Sequence, residues 1–304
     1  MYFHTHCFDG IASAVLVIDA LAWRDPDLHP VGYDERATWC DKQLKQPAAV
    51  VDFLFHPATT FWADHHPTTF VTAEAAAHYG ARRGERWFHE PSMDSCAGVL
   101  IANFPALQHR SQLVHWANKI DAARYESVDE ALFGDSPALV ISKGLAVASD
   151  QDCADLVRRL CVRPLEAVAG DSDARARFEQ VQRGTEDALR RFDQHALLQP
   201  DGIVVADLSG EPVAGPRYAP YHRYPNAKYS IVLYNADDGP KITAMRNPWQ
   251  EFQSVPLGEI FRRYGGGGHR RVASVLISPE RSRDASTTLM SIVADIQHAM
   301  RVTA

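Results

Sequence analysis

MYFHTHCFDGIASAVLVIDALAWR, residues 1–24, decides the fold class. Met1–His4 reads as the start of a strand. Asp9-Gly10 then opens a helix-like apolar run, with Asp9 placed as its N-cap. Two compact apolar runs follow, AAVVDF at 48–53 and TTFWA at 59–63, and both read as buried strands. Strands interleaved with helical patterns predict an α/β fold with a mostly parallel sheet.

Working outward, residues 92–165 are mainly helical, with breaks at Pro105, at Gly134-Asp135-Ser136-Pro137 and at Arg163-Pro164. Residues 171–195 are charged and helix-favouring, with few positions apolar enough for burial, which predicts a long connecting helix. Gln199-Pro200-Asp201-Gly202 is a turn signal, so a boundary falls near residue 197. Beyond it, GIVVADL, KYSIVLYN, PKITAMRN and RRVASVLIS read as strands. LGEIFRRY and the segment from Ala285 to Met300 read as helices. The expected organisation is an N-terminal parallel-sheet domain over 1–170, a linker helix over 171–197, and a smaller α/β domain over 198–304.

A chain of 304 residues suits this division, since a domain usually takes roughly 100–200 residues. With 46% hydrophobic and 23% charged residues it can bury real cores. A net charge of −7 argues against non-specific coating of long nucleic acid. The charge is uneven: from Lys241 onward nine Lys/Arg face five Asp/Glu, net +4, which leaves −11 on the first 240 residues. Such asymmetry suits an anionic substrate held partly by metal ions. The five scattered cysteines form no CxxC pair and no disulfide framework, as in a reducing compartment. Ile11–Trp23 is too short to span a membrane and contains Asp19, and the start has no cationic signal region, so a cytoplasmic protein is expected.

Hard ligands stand at the ends of the apolar runs. His4 ends the first, Asp52 ends AAVV, Asp64-His65-His66 ends TTFWA, and Asp121 follows LVHWANKI. In open α/β sheets, residues just past the carboxyl ends of strands converge in one crevice. Taken singly, Asp9 and Asp121 read as helix caps, Asp52 as a turn residue, and His4 as an ordinary polar strand end. Asp64-His65-His66 is different, because three such groups after an apolar strand are costly to bury without a partner. Oxygen-rich donors with some imidazole suit Mn²⁺ or a similar ion better than a closed structural zinc site.

The order of these motifs resembles the DHH phosphoesterase superfamily, over almost the whole chain. Asp64-His65-His66 is the name motif, HTHCFDGIASA is similar to its first motif, and Asp52 and Asp121 match the second and fourth. Gly265-Gly266-Gly267-Gly268-His269 looks like the glycine-rich run of the DHH-associated substrate-binding domain. The resemblance implies two metal ions, Mn²⁺ in the first place, with Mg²⁺, Co²⁺ or Zn²⁺ as alternatives. It implies His4, Asp9, Asp52, His65 and Asp121 as ligands, with Asp52 as the bridge. It further implies Asp64 in an orienting role and His66 beside the reacting phosphate. Two ions of this kind activate water and clamp phosphoryl oxygens for in-line attack. In one respect the chain departs from the family: Cys7 stands where the first motif usually has an aspartate. A thiolate ligand at Cys7, substitution by His6, a weak metal position and a merely small buried residue are the alternatives.

The glycine run lets backbone approach a phosphate, and its consecutive N–H groups could form an anion nest. His269, Arg270 and Arg271 add donors, of which a strand would turn only one arginine toward a ligand. Arg246 corresponds to a family arginine that faces the substrate. Gly266, Gly267, Gly268, His269, Arg270 and Arg246 are therefore the expected substrate-binding residues. Ser95-Cys96-Ala97-Gly98 at a helix start suits close packing or a phosphate, with packing the preferred reading. RYAPYHRY at 217–224 reads as a surface loop, with base stacking the alternative. The expected substrate is a small nucleotide or short oligonucleotide, hydrolysed as a phosphodiester or phosphomonoester. The rival readings are a processive single-strand exonuclease and a non-catalytic nucleotide-binding protein. A homodimer is a family trait rather than a property of these residues.

Overall fold

The computed structural model describes residues 1–82, 86–212, 215–236 and 238–303. In chain order the elements are β1 (Tyr2–His4), α1 (Phe8–Ala20), β2 (His29–Val31), β3 (Ala49–Val51), β4 (Phe61–Asp64), α2 (Ala73–Arg82) and β5 (Trp87–His89). The helical stretch follows as α3 (Cys96–Asn103), α4 (Ser111–Asp121), α5 (Val128–Phe133), α6 (Pro137–Gly144), α7 (Asp150–Val162), α8 (Leu165–Ala169) and α9 (Ser172–His195). The rest comprises β6 (Ala196–Leu198), β7 (Ile203–Leu208), α10 (Ala219–Arg223), β8 (Tyr229–Ala236), β9 (Gly239–Arg246), α11 (Leu257–Arg262), β10 (Gly267–Gly268), β11 (Val272–Leu276) and α12 (Ala285–Thr303).

Packing divides the chain into two compact units. The first holds Met1–Tyr125 and Gly134–Val181; the second holds Glu126–Phe133 and everything from Gln182 onward. The division falls inside α9, the helix expected as a linker, and α5 belongs with the second unit.

The first unit is built on a parallel five-stranded sheet of order β2-β1-β3-β4-β5. Its central strands are buried on both faces, as a sheet covered on both sides requires. The two-residue period sorts them. Phe3, Val51, Phe61 and Ala63 pack in the core with α1, α3 and α7, while Tyr2, Val50 and Trp62 pack with Trp39, Phe55, Tyr79 and Trp87. The order of strands reverses between β1 and β3, so their carboxyl ends open the crevice where ligands bind in such sheets. Gly10 makes the entry possible. A Cβ there would lie 2.1 Å from the His4 carbonyl oxygen, so only glycine lets α1 start against the end of β1.

The helix starts two residues earlier than an Asp9 cap allows. Cys7 is the N-cap residue, and it makes no side-chain capping bond. The Asp9 carboxylate is committed elsewhere, as described below.

The second unit has a six-stranded sheet of order β10-β11-β9-β8-β7-β6 among the described residues. Only β7 and β8 pair in parallel; the others are antiparallel. Ile231, Leu233, Ile242 and Val275 pack in one core with Phe261 of α11 and Ile292 and Ile296 of α12. The segment at 217–224 is not a surface loop. It forms α10, and Tyr221 is buried with its hydroxyl donating to the Met245 carbonyl at 2.5 Å. Tyr218 is also buried, its ring edge-on to Trp249, so neither ring is free to stack on a base. No helix among the described residues is long and apolar enough to cross a membrane.

Candidate metal centre

Four backbone features aim the side chains of the first unit at one point. His4 ends β1, Asp64 ends β4, and Asp121 ends α4. Asp52, directly after β3, holds a left-handed backbone at φ 53°. That conformation is costly for a residue with a Cβ, and Asp tolerates it better than most. Its amide still donates to the Ala63 carbonyl at 3.0 Å, which pins the turn to β4.

His65 shows what the cluster is arranged for. Its Nδ1 lies 3.2 Å from the Met93 carbonyl, which can only accept, so Nδ1 carries the proton. The Nε2 lone pair then faces Asp121 Oδ2 at 3.3 Å and Asp9 Oδ2 and Asp52 Oδ1 at 3.7 Å each. His65 Nε2, Asp52 Oδ1 and Asp64 Oδ2 are buried without a hydrogen-bond partner. Lone pairs turned on one another in a buried site repel unless a cation lies among them. The donors fall into three overlapping sets whose atoms lie within 4.8 Å of one another: His4, Cys7 and Asp52; Asp52, His65 and His66; Asp9, His65 and Asp121. Asp52 belongs to two of them, where a bridging ligand would stand. These residues therefore fit a centre for divalent cations.

Protonation follows the same crowding. Burial first, then Asp9, Asp64 and Asp121, push the Asp52 carboxyl well above its usual range. Burial, with Asp9 next, raises Asp121 to about 6. Burial lowers His4 to about 4, with His66 adding to it, so His4 is neutral at pH 7. The Cys7 thiol is pushed up by burial and by Asp52 and Asp9. At His66 burial opposes the charge, but its bond to Asp64 and the surrounding carboxylates win and raise it. That bond, Nδ1 to Asp64 Oδ1 at 2.8 Å, leaves Nε2 as the outward-facing atom.

Asp9 accepts from three neighbours. Its Oδ2 accepts the Cys96 amide at 2.6 Å, and its Oδ1 accepts the Ala97 amide at 2.9 Å and the Ser13 hydroxyl at 3.2 Å. The start of α3 thus meets an anion, but one supplied by the chain itself. Ser95 caps the same helix by accepting the Gly98 amide at 2.8 Å. His6, one alternative to Cys7, is turned away: its Nδ1 meets the Leu145 carbonyl at 3.0 Å and its Nε2 lies 3.5 Å from Asp150.

Tyr33 has no signal in the sequence. Its ring lies 5.0 Å from His4 and 6.2 Å from His66, at the edge of the cluster. It follows the three-residue β2, whose HPV carries too little pattern to be read as a strand. Only the preceding Gly32 punctuates that stretch.

In the second unit the expected substrate residues divide. Arg246 is 6% exposed. Its guanidinium donates to the carbonyls of Asn247 at 2.7 Å and Gln250 at 2.6 Å and lies 4.3 Å from the Phe252 ring centroid. The expected substrate-facing arginine is instead committed to the loop after β9, because buried guanidinium donors take the nearest carbonyls. Arg246→Met is expected to lower the stability of the second unit by about 2 kcal/mol, read as an earlier denaturant midpoint. Unchanged stability with weakened nucleotide binding would restore the ligand role.

The glycine run is shaped by packing. Gly268 sits at φ 141°, and a Cβ there would lie 2.4 Å from the Val272 carbonyl oxygen. The amides of Gly265, Gly266 and His269 donate to Arg262, Phe261 and Val272 carbonyls, so they form no open nest. Arg270 and Arg271 precede β11 rather than lying in it, so strand alternation does not choose between them. His269, Arg270 and Arg271 are exposed, and Arg270 donates to the Ser254 carbonyl at 2.9 Å.

No protein-family model and no curated protein matches the sequence. Solved structures do. A pGpG-specific phosphodiesterase, PggH from Vibrio cholerae, is similar with a TM-score of 0.73 at 17% identity, covering 97% of this chain and 99% of that one. The DHH domain of a protein described as a member of a family of ribosomal proteins aligns at TM-score 0.57 and 12% identity, covering 97% and 86%. The exonuclease RecJ bound to manganese aligns at 0.52 and 13%, covering 96% and 89%. At such identities the likeness is one of fold. The chain shares the fold of these structures, one of them described as a DHH domain, and its Asp64-His65-His66 stands at the carboxyl end of β4.

Proposed function

We propose that this chain is a divalent-metal-dependent phosphodiesterase acting on short nucleotides, with a linear dinucleotide such as pGpG as its first candidate substrate. The observation that carries the reading is the His65 lone pair, buried and aimed at Asp9, Asp52 and Asp121. Support for the substrate class comes from PggH, described as pGpG-specific, and support for manganese from RecJ, described as bound to it. His4 and Asp52 would hold one ion; Asp9, Asp52, His65 and Asp121 would hold the other. When bound, such ions activate water and offset the charge that develops on the phosphoryl oxygens.

The remaining steps belong to side chains. Met93 fixes the ring of His65 through its carbonyl, and Asp64 fixes that of His66, so both present Nε2 to the site. His66, raised toward the protonated form, is placed to donate to the leaving oxygen. His269 and Arg270 are proposed to contact a substrate phosphate as exposed donors.

The test is product analysis of pGpG and of 5′-phosphorylated diadenylate, incubated with metal-stripped protein and then with added Mn²⁺. Mononucleotide only with metal is the expected result. Tight binding without turnover, in Mn²⁺, Mg²⁺ and Co²⁺ alike, would overturn the enzyme reading in favour of a nucleotide-binding protein. Turnover that rises steeply with chain length would overturn the short substrate.

A further inference from the structure

The donors proposed for the two ions differ in kind. Asp9, His65 and Asp121, with Asp52 3.7 Å from His65, offer three carboxylates and one imidazole. His4, Cys7 and Asp52 offer one imidazole, one carboxylate and the only sulfur in the three donor sets. Carboxylate oxygen suits hard ions such as Mn²⁺ and Mg²⁺, whereas thiolate selects softer ones. Cys7 has its backbone fixed at the start of α1. It is the N-cap residue of α1, with extended backbone at φ −120° and ψ 131°, and its carbonyl accepts the Ile11 amide at 3.1 Å. A second observation points to a ligand here. Asp52, 1% exposed, turns Oδ2 to His4 at 3.3 Å and Oδ1, which has no hydrogen-bond partner, to His65 Nε2 at 3.7 Å, so its one carboxylate reaches both donor positions. His6 cannot supply the missing donor, since its ring is bound to Leu145 and Asp150 on the other side.

We propose that the centre takes two different ions, a borderline or soft one such as Zn²⁺, Fe²⁺ or Co²⁺ at His4–Cys7–Asp52 and a hard one at Asp9–Asp52–His65–Asp121. The inference rests on the reading of this cluster as a two-ion centre. It adds that the chain selects a mixed pair, so Mn²⁺ alone leaves the thiolate position weakly filled. Filling it requires Cys7 to release its proton to solvent as the metal–sulfur bond forms, with no change of oxidation state.

The experiment is cobalt reconstitution of the metal-stripped full chain, followed by electronic absorption and metal analysis. The comparison proteins are Cys7→Ser and Cys7→Asp, with circular dichroism confirming that each folds. The wild type is expected to show a near-ultraviolet thiolate-to-cobalt band together with visible ligand-field bands. Both variants should lose the near-ultraviolet band, which separates Cys7 from the other four cysteines. Cys7→Asp should keep the visible bands and lose preference for Zn²⁺ over Mn²⁺ by roughly tenfold or more. Visible bands without the sulfur band in the wild type, or a sulfur band that survives Cys7→Ser, would overturn the mixed pair and leave the metal centre standing. Absence of any cobalt absorption in the wild type would overturn both.

Discussion

An Asp52→Asn protein is expected to lose metal-dependent turnover of a short dinucleotide by at least about 10³-fold while its metal-free form becomes more stable than wild type. The two effects have one cause. Asp52 is buried among Asp9, Asp64 and Asp121, and its ionised form is disfavoured by burial and by those neighbours. A carboxyl whose folded pKa is raised binds its proton more tightly in the native than in the unfolded chain. Its favourable contribution is therefore complete below the unfolded value, about 4, and is lost as pH rises through the folded value. Asp121, raised to about 6, adds to the loss over the same interval. Metal-free wild type should thus weaken as pH climbs from about 4 through 6 and beyond.

Asparagine removes the Asp52 charge and keeps the left-handed backbone at φ 53° accessible, so the turn after β3 survives. Saturating metal reverses the ranking. An ion that binds only the folded chain contributes about 2.7 kcal/mol at one hundred times its Kd, and only wild type retains the Asp52 carboxylate proposed to hold it. Thermal melts at pH 5 and pH 8, with chelator and with Mn²⁺, check the stability half; product analysis checks the rest. A metal-free Asp52→Asn chain less stable than wild type at pH 8 would contradict this account of the cluster.

Asp9→Ala should separate from Asp121→Ala, although both remove a carboxylate from the same donor set. Asp9 is buried and accepts three hydrogen bonds, two of them from the amides that begin α3. Its loss leaves those amides buried without partners. Hydrogen bonds to a charged acceptor contribute about 1.5–3 kcal/mol each. Relief of repulsion with Asp52 and Asp121 offsets part of the loss. The net expectation is about 2–3 kcal/mol, or a fall in Tm of roughly 5–10 °C for a unit of this size. Asp121 ends α4, and its replacement should not lower metal-free stability; removing a carboxyl raised to about 6 should raise it slightly as pH passes that value. Both variants should lose the second ion and turnover alike. Equal melting temperatures for the two metal-free variants would show that Asp9 does not anchor α3.

Much of the first unit is legible in the sequence because strong local signals coincide. β1 and β4 are apolar runs that end on His4 and Asp64 and β3 is one that stops just before Asp52, so each strand's end is visible where the apolar run meets a polar residue. Shorter strands are not. β2 and β5 have three residues each, β10 has two, and their pairing rather than their composition makes them strands. The segment around Tyr221 carries turn-like punctuation, yet burial of its rings against Trp249 makes it a helix. Arg246, expected from the resemblance to face a substrate, has a different employment. Its guanidinium takes carbonyls of the next loop, which no spacing encodes.

The sequence by itself determined the α/β class, the donors at the strand ends and the identity of Cys7, because side-chain chemistry and periodicity are local properties. Only the tertiary structure decided which donors face one another. His65 turns its lone pair on three carboxylates because a carbonyl 28 residues away takes its other nitrogen. Asp9 lies inside the helix it was expected to cap, and its carboxylate goes instead to two amides almost ninety residues away. Those partners are long-range, and buried polar groups take whichever partner the packed chain brings near.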